Sequence, residues 1–236
     1  MEFNGKLYLI PTTLGDTEPL EVLPISVKKV LEMTNEFIVE NEKTARRFIK
    51  RVTPKKSQQS LIIHQLNKFT DPNDIPSFLN SCLEGKVVGL LSEAGCPAIA
   101  DPGADVVKIA HENNIQVRPL VGPSSILLAM MSSGFNGQNF TFNGYLPIDK
   151  NERRATIKKL EKISGEYNQS QIFIETPYRN NKMLEDLINS LQANTKVCVA
   201  CDITLPSEII LTKTILNWKY TKIDLHKKPT IFIIQK

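Results

Sequence analysis

Short apolar runs alternate along the chain with longer stretches of helical pattern. In the first half, these runs are too short for stable helices and predict strands at residues 6–10, 37–40, 61–64, 86–91 and 116–121. The stretches between them predict helices at residues 26–34, 42–52, 74–83 and 104–113. Strands that alternate with helices indicate βαβ units and a mostly parallel sheet.

The pattern changes in the second half. Strands are predicted at residues 140–143, 171–175, 196–201, 208–212 and 230–234, and helices at 126–132, 150–163 and 180–191. Several of these strands follow one another closely, so part of this sheet should be antiparallel. We therefore expect an α/β protein with two α/β domains, residues 1–119 and 120–236, and a cleft between them.

The composition indicates a globular protein. The chain has 236 residues, of which 41% are hydrophobic and 23% charged, enough for a sizeable core. Apolar stretches such as residues 126–131 are far shorter than a membrane span, and the N-terminal residues do not resemble a secretion signal. We therefore expect a cytoplasmic protein with no membrane partner. With 4 cysteines, reduced thiols are expected rather than a disulfide framework.

Cys198 and Cys201 have the CxxC spacing found in zinc and redox sites. The surrounding sequence predicts a strand, in which residues three apart point to opposite faces and cannot clamp one metal ion. No second CxxC pair or nearby histidine pair completes a ligand set. The two side chains are therefore predicted to be buried apolar groups, and no metal site is expected.

Positive charge is concentrated in two segments, although the net charge is only +4. The first segment lies on and just after the predicted helix 42–52 and contains Arg46, Arg47, Lys50, Arg51, Lys55 and Lys56. The second follows Pro147 and contains Lys150, Arg153, Arg154, Lys158 and Lys159. Like charges one helical turn apart repel, and solvent or a polyanion offsets that repulsion. Two interpretations remain open, namely solvated helix faces and contact with phosphates.

Residues 89–103 have the features of a ligand-binding turn. A short apolar strand ends at Ser92, and the small residues up to Gly95 should expose backbone groups. Pro97 has no N–H group, so the strand cannot continue its hydrogen bonds there. Residues 122–125, Gly-Pro-Ser-Ser, stand between another strand and a helix, where hydroxyl and N–H groups are available. Ligands of open α/β sheets bind at the carboxyl ends of strands, so both segments should face one crevice. The alternative explanation for each segment is that these residues only end a strand or begin a helix and bind no ligand.

Six motifs in order resemble the tetrapyrrole-methylase-type (class III) S-adenosylmethionine-dependent methyltransferases. The motifs lie at residues 9–15, 89–97 with 101–103, 121–125, 133–134, 142–147 and 175–179. The similarity is greatest to the branch that methylates the 2′-hydroxyl of a cytidine in small-subunit ribosomal RNA. It runs from about residue 5 to 218, and the sequence contains no GxGxxG loop.

The resemblance implies a tetrapyrrole methylase-like fold, a homodimer, and S-adenosylmethionine in the cleft between the two domains. Carried over motif by motif, the cofactor contacts fall on Ser92, Glu93, Ala94, Gly95, Ile99, Asp101, Ser124, Ser125, Tyr145, Leu146 and Pro147. Ribosomal RNA or the small ribosomal subunit is the implied partner. The candidate substrate contacts are Arg46, Arg47, Lys50, Arg51, Arg153 and Arg154. Glu175 and Arg179 match a further motif with an expected structural or substrate-side role.

Two differences from that branch leave the methyl acceptor open. Residues 40–45 read Glu-Asn-Glu-Lys-Thr-Ala where the branch usually has Glu-Asp-Thr-Arg-His-Thr. Residues 228–230 read Lys-Pro-Thr where a Gly-Glu pair is common. Besides RNA, the alternatives are a tetrapyrrole or another small molecule, and a cofactor-binding module without turnover.

The chemistry of such a transfer sets the requirements for the site. A sulfonium methyl group is already activated, so the protein must hold the acceptor in line and exclude water. A ribose hydroxyl must also lose its proton. The candidate bases are Glu93, Glu40 and His64, and for each a capping or core-edge role is the alternative.

Overall fold

The computed structural model describes residues 3–236. Contacts divide the chain into two units, one that ends at Ser124 and one from Ser125 to Lys236. The boundary that the sequence predicts, after residue 119, lies slightly before this division, at the end of a strand. Each unit has its own sheet and core, and each is described by itself.

In its described part, the first unit contains one parallel sheet with helices on both faces. The strands are β1 (Lys6–Ile10), β2 (Glu36–Val39), β3 (Ile62–Gln65), β4 (Val87–Leu91) and β5 (Gln116–Pro119). The helices are α1 (Pro19–Val22), α2 (Ile25–Met33), α3 (Glu42–Val52), α4 (Asn80–Leu83) and α5 (Ala104–Glu112). The strand order is β3-β2-β4-β1-β5, and each neighbouring pair is parallel. The predicted parallel sheet is confirmed.

Alternate residues of the central strands supply two separate cores. Phe37 and Val39 point to the face that is covered by α2 and α3, where they pack with Ile49. Ile38, between them, points to the other face and packs in a cluster with Val106 of α5. Because helices cover both faces, the strands are apolar throughout, as is usual for parallel sheets.

Helix α3 has the bounds that the sequence predicts, for two reasons. The Asn41 side chain accepts hydrogen bonds from the backbone N–H groups two and three residues later, at 2.9 and 3.2 Å. Such an N-cap satisfies donors that the first helical turn leaves free. Ala45, Ile49 and Val52 then form one buried stripe at helical spacing. The charged residues of α3 are left on its outer surface.

The prediction of one helix over residues 74–83 is wrong. A 3₁₀ turn, Ile75–Leu79, comes first and α4 follows it. Pro76 lacks an N–H group, and Leu79 has φ −106° and ψ 4°, outside the α-helical region. The helix axis is therefore interrupted at Leu79, and the two short pieces do not form one regular helix.

The second unit contains a mixed sheet. Its strands are β6 (Phe140–Tyr145), β7 (Ser170–Ile174), β8 (Lys196–Cys201), β9 (Ile209–Thr214) and β10 (Thr230–Gln235). Its helices are α6 (Ser125–Ser133), α7 (Lys150–Tyr167), α8 (Asn180–Ser190) and α9 (Ile215–Trp218). In the order β6-β7-β10-β8-β9, only β6 and β7 are parallel neighbours. The predicted mixed sheet is confirmed, whereas α1 and α9 were not predicted because four residues show no helical period.

The core of the second unit includes the two cysteines of the CxxC pair. Cys198 and Cys201 lie on β8 and are completely buried, as predicted. Trp218 is also buried, and its indole N–H donates to the carbonyl oxygen of Val197 at 2.9 Å. Within residues 3–236, no group of three or more potential ligand side chains could hold a metal ion. No helix in this range is long and apolar enough to cross a membrane.

Candidate active site

The carboxyl ends of β4, β1 and β5 lie side by side because these strands are parallel neighbours. Thr12 follows β1, and its backbone N–H donates to the carbonyl oxygen of Gly95 at 3.0 Å. Its hydroxyl lies 3.3 Å from that of Ser92, which follows β4. The Ser92 hydroxyl in turn donates to the Gly95 carbonyl oxygen. The turn after β4 is therefore fixed to the loop after β1.

Gly95 is the residue on which the close approach of these loops depends. Its φ of +75° lies in the left-handed region, which residues with a side chain rarely adopt. A Cβ atom at this position would lie 3.0 Å from Leu14 Cδ2 and 3.1 Å from the carbonyl oxygen of Pro123. The thiol of Cys96 also lies 3.4 Å from that oxygen. The two segments that were expected to face one crevice are thus in contact.

A cavity of about 370 Å³ opens beside this turn. Its walls are the loop after β1, the residues Thr44 to Arg51 on one side of α3, and Ser92 and Glu93 after β4. The Thr44 hydroxyl, on α3, lies 2.8 and 3.0 Å from the two carboxylate oxygens of Glu93. Arg47 contributes a guanidinium group to the wall. The cavity thus combines an oriented carboxylate with a cation.

Three carboxyl groups, Glu40 after β2 and Glu93 and Asp101 after β4, influence one another near this edge. Burial and the negative charges of Glu40 and Glu93 raise the pKa of Asp101 to about 7. Burial and the charge of Glu93 also raise the pKa of Glu40. A carboxyl group with a pKa near neutral pH can both hold and release a proton under working conditions. The structure therefore brings together Glu40, Glu93 and Asp101.

The third candidate base, His64, lies elsewhere. Its Nε2 atom is 2.7 Å from Oε1 of Glu36, and its ring stacks on Phe78 with centroids 4.9 Å apart. Glu36 is the first residue of β2, so the His64 side chain makes its contact at the amino end of that strand. His64 does not line the cavity, and its contacts match the core-edge role that the sequence left open.

The basic residues of α3 differ in their availability. Arg46 is paired with a carboxylate one turn earlier in the helix at 2.7 Å. Arg51 is paired with Asp16 at 2.6 Å and is also close to a second carboxylate. In the described part of the chain, the exposed side chains of Arg47 and Lys50 have no ion-pair partner. Together with Lys43 near the start of the helix, which is also exposed, Arg47 and Lys50 are therefore available to a ligand in solution.

Arg153 and Arg154 have a different environment from the one expected for phosphate contacts. Arg153 is buried, with its guanidinium 2.6 Å from the fully buried carboxylate of Asp186. It also donates to the carbonyl oxygen of Ile148 at 2.6 Å. Arg154 binds the second oxygen of the same carboxylate at 3.0 Å. The pairing neutralises a buried charge and anchors the segment after β6, so Arg153 is not exposed to a polyanion.

The other predicted cofactor residues are distributed over both units. Ala94 and Ile99 are exposed, and Ser124 and Ser125 are half-buried where α6 begins. In the second unit, Tyr145 ends β6 and is exposed, Pro147 is half-buried, and Leu146 belongs to the hydrophobic core. Leu146 can therefore offer a ligand its backbone rather than its side chain.

Sequence reasoning missed Thr44 and Asp16 as residues of the cavity. Thr44 lies in the altered stretch 40–45, where Asn41 caps α3 and Thr44 binds Glu93. Asp16 directly follows the first motif and fixes Arg51 across the cavity. The signal for Asp16 was its place in the loop after the first strand, but the pairing joins residues 35 positions apart.

These features define a two-unit α/β protein with a polar ligand site at the carboxyl edge of a parallel sheet. The family profile "Tetrapyrrole (Corrin/Porphyrin) Methylases" matches residues 6–217. The chain belongs to this family, and the resemblance of its motifs is thereby confirmed. It is an S-adenosylmethionine-dependent methyltransferase.

Two curated relatives are both named "Ribosomal RNA small subunit methyltransferase I". The protein of Thermotoga maritima is 31% identical over 200 residues, which are 85% of this chain and 84% of the relative. The protein of Buchnera aphidicola subsp. Schizaphis graminum is 29% identical over 234 residues, which are 98% of this chain and 78% of the relative.

Solved structures share the fold. The methyltransferase CobJ superposes with a TM-score of 0.65 at 14% identity, with 98% of this chain and 94% of that chain covered. A uroporphyrin-III C-methyl transferase from Thermus thermophilus, complexed with S-adenosyl homocysteine, has a TM-score of 0.58 at 14% identity, with 98% of each chain covered. The two-sheet α/β architecture is therefore that of the tetrapyrrole methylases.

The raised pKa of Asp101 predicts a pH-dependent stability. The folded-state pKa of about 7 is above the ordinary value of 3.8, so the folded protein binds the extra proton between these values. The free energy of unfolding should therefore fall as the pH rises from about 4 to about 7. Asp101→Asn cannot ionise, and its stability relative to the parent should increase over this window, as measured by urea unfolding.

Two controls make this test specific. Asp105→Asn changes an exposed carboxylate in the first turn of α5 and serves as the matched variant. Glu93→Gln removes a neighbouring charge and should lower the Asp101 pKa in a carboxyl-carbon NMR titration. A stability difference between Asp101→Asn and the parent that is constant from pH 4.5 to 8 would contradict the prediction.

Proposed function

We propose that this methyltransferase modifies a ribose 2′-hydroxyl of small-subunit ribosomal RNA. The observation that carries the proposal is that Arg47 and Lys50 of α3 are exposed cations, and that Arg47 lies in the wall of the cavity that also contains Glu93. A polyanion beside the cavity would offset the repulsion between such cations. The curated relatives are named as ribosomal RNA methyltransferases, which agrees with an RNA substrate.

The residues at the strand ends suit the methyl donor. S-adenosylmethionine supplies a positively charged, activated methyl group. Within the turn from Ser92 to Gly95, Glu93 and Ala94 are exposed, and Glu93 and Asp101 provide negative charge that complements a cation. We propose that these residues bind the donor together with Ile99 and Ser124 of the same unit. The contacts that the family resemblance implies in the second unit, at Ser125, Tyr145, Leu146 and Pro147, stay predictions.

The carboxyl groups are proposed to accept the proton of the ribose hydroxyl. Glu93 lies in the cavity wall with its carboxylate oriented by Thr44. Asp101, with a pKa of about 7, can take up a proton at neutral pH, and Glu40 contributes to its raised pKa. Glu93 is thus the proposed contact to the hydroxyl, and the other two carboxyls adjust the charge around it.

We further propose that the protein acts in the cytoplasm as a homodimer. A two-fold axis would present two copies of α3 to one extended RNA substrate. Sedimentation of the purified protein at micromolar concentration should give twice the chain mass of 26.6 kDa. A single species at the chain mass would contradict the dimer.

The proposed acceptor is tested by methyl transfer. Radiolabelled S-adenosylmethionine is incubated with the protein and undermethylated small ribosomal subunits, naked ribosomal RNA, or a small-molecule extract. Label should enter RNA at a ribose, whereas label in the small-molecule fraction would favour a tetrapyrrole-type acceptor. Cofactor binding without any transfer would indicate a binding module.

Gly95→Val is the variant that tests the placement of the donor. A β-branched residue at φ +75° is strained, and its side chain would crowd Leu14 and the Pro123 carbonyl group. S-adenosylmethionine affinity, measured by calorimetry, should fall by roughly tenfold or more, as for a cost of about 1.4 kcal/mol. Gly137→Val, where a Cβ would meet no atom within 4 Å, is the matched control. Unchanged affinity in a folded Gly95→Val protein would count against this placement.

The salt dependence of RNA binding tests the role of α3. Each phosphate contact that is removed should make the log–log slope of affinity against salt shallower by roughly 0.7 to 0.9. We expect this stepwise change for Arg47→Ala and Lys50→Ala, singly and together, with S-adenosylmethionine affinity retained. Arg51→Ala should have a smaller effect, since Asp16 already neutralises that guanidinium.

Lys108→Ala is the matched control for the removal of one positive charge. Lys108 is exposed on α5, which packs on the opposite face of the sheet from α3. This variant should retain the parent slope. If the Arg47/Lys50 double variant also retained the parent slope, α3 would not be the RNA-binding surface.

A further inference from the structure

A second surface with features of RNA recognition lies in the second unit, at the carboxyl end of β7. There the 175–179 motif packs against the segment that precedes β10. The backbone N–H of Lys227 donates to the carbonyl oxygen of Pro177 at 3.0 Å. The side-chain amide of Asn180 donates to the carbonyl oxygen of Lys228 at 2.6 Å. Two segments about fifty residues apart are thus joined into one surface, and none of its residues lines the cavity described above.

Tyr178 is the centre of this surface. Although two side chains lie against its ring, Tyr178 remains 70% exposed. The ring of His226 meets it edge-on, with centroids 5.8 Å apart at 75°. The ammonium group of Lys227 lies 5.9 Å from the tyrosine ring centroid. We refer to Tyr178, His226 and Lys227 as the tyrosine platform.

The backbone of the platform is held in an unusual conformation. Lys227 has a φ of +59°, in the left-handed region that lysine adopts only at an energetic cost. The hydrogen bond to Pro177 maintains this conformation, and Asp224 accepts the N–H of His226 at 3.0 Å. Backbone strain of this kind is found where the surrounding structure fixes a side chain in a required position. The lysine is therefore presented beside the tyrosine by a fixed turn.

The charges around the platform are mainly positive. Lys227 and Lys228 are adjacent, and Arg179 is half-exposed at the end of the motif. The carboxylate of Glu175 is buried and paired with Arg179 at 2.6 Å. That of Asp224 accepts from the side-chain amide of Asn181 at 2.7 Å. Both acidic groups are thus engaged in local contacts, whereas the two lysines have exposed or half-exposed side chains.

We propose that the tyrosine platform binds an unpaired nucleotide of the RNA substrate, with the base stacked on Tyr178 and neighbouring phosphates at Lys227 and Lys228. Protein recognition of single-stranded RNA combines aromatic stacking with cations that follow the backbone. An exposed tyrosine beside two lysines provides both components. The inference rests on the proposed function, since it assumes an RNA acceptor, and it adds a contact outside the cavity.

The test compares substitutions that separate stacking from charge. Tyr178→Ala should weaken binding to undermethylated small-subunit RNA by roughly 5- to 150-fold, the range for loss of one base–aromatic stack. Tyr178→Phe keeps the ring and should bind like the parent. Lys227→Asn removes the charge but tolerates the left-handed backbone, and should reduce the salt slope by about 0.7. Tyr220→Ala removes another highly exposed tyrosine from the same unit and is the matched control.

A second measurement locates the contact directly. RNA that contains 4-thiouridine is cross-linked to the parent protein, and the peptide that carries Tyr178 should be among the cross-linked products. Tyr178→Ala that binds RNA like the parent, in a protein that still methylates RNA, would overturn the platform alone. A parent protein that binds no RNA would overturn the proposed function and the platform together. Weakened binding to whole subunits, with naked RNA bound normally, would indicate a protein partner and overturn the RNA assignment.

Discussion

The position of β1 between β4 and β5 is the constraint on which the candidate site depends. Because all three strands are parallel, the residues that follow them meet at one edge of the sheet. Thr12 and Ser92 are 80 positions apart in the chain, yet their hydroxyls lie within 3.3 Å. The two apolar cores hold the strands from both faces, so the loops at this edge rest on a rigid support. Precise contacts can then be made by short, polar segments.

Opposite charges are separated within the first unit in a way that suits two different ligands. The carboxyl groups of Glu40, Glu93 and Asp101 are close enough to perturb one another. The available cations of α3 lie on the outer side of the same region, where Arg47 reaches the cavity wall. A positively charged methyl donor and a negatively charged RNA chain would be attracted to different parts of this surface. The Thr44–Glu93 hydrogen bond joins the two parts.

Local sequence patterns predicted most of the elements, and their limits have physical causes. Helix α3 was predicted at its observed bounds, since its cap and its apolar stripe are both local features. The break at Leu79 was missed because apolar spacing alone does not distinguish a 3₁₀ turn from an α-helix. The predicted strand ends correctly indicated that the turn at Ser92–Gly95 lies against the loops that follow the neighbouring strands.

Long-range pairings could not be predicted from the chain. Arg153 looked like part of a basic surface, but the buried carboxylate that binds it lies 33 positions away. Asp101 was expected to contact the cofactor, and its pKa is raised by burial and by the charges of Glu40, about sixty positions earlier, and the nearby Glu93. His64 was a candidate base, whereas its ring nitrogen contacts Glu36, although the strand register pairs His64 with Ile38. In each case the partner, rather than the residue itself, determines the role.

The grouping of carboxyl groups around Asp101 has a consequence for turnover. In the proposed site, the methyl donor arrives with a positive charge on sulfur, and the thioether that remains after transfer is neutral. A cation favours ionised neighbours, so its arrival lowers the proton affinity of the carboxyl cluster, and the loss of that charge raises it again. The spent cofactor would then lack the attraction that retained the fresh one. Electrostatic repulsion among three acidic side chains would in this way help the enzyme to exchange its used cofactor for a new molecule.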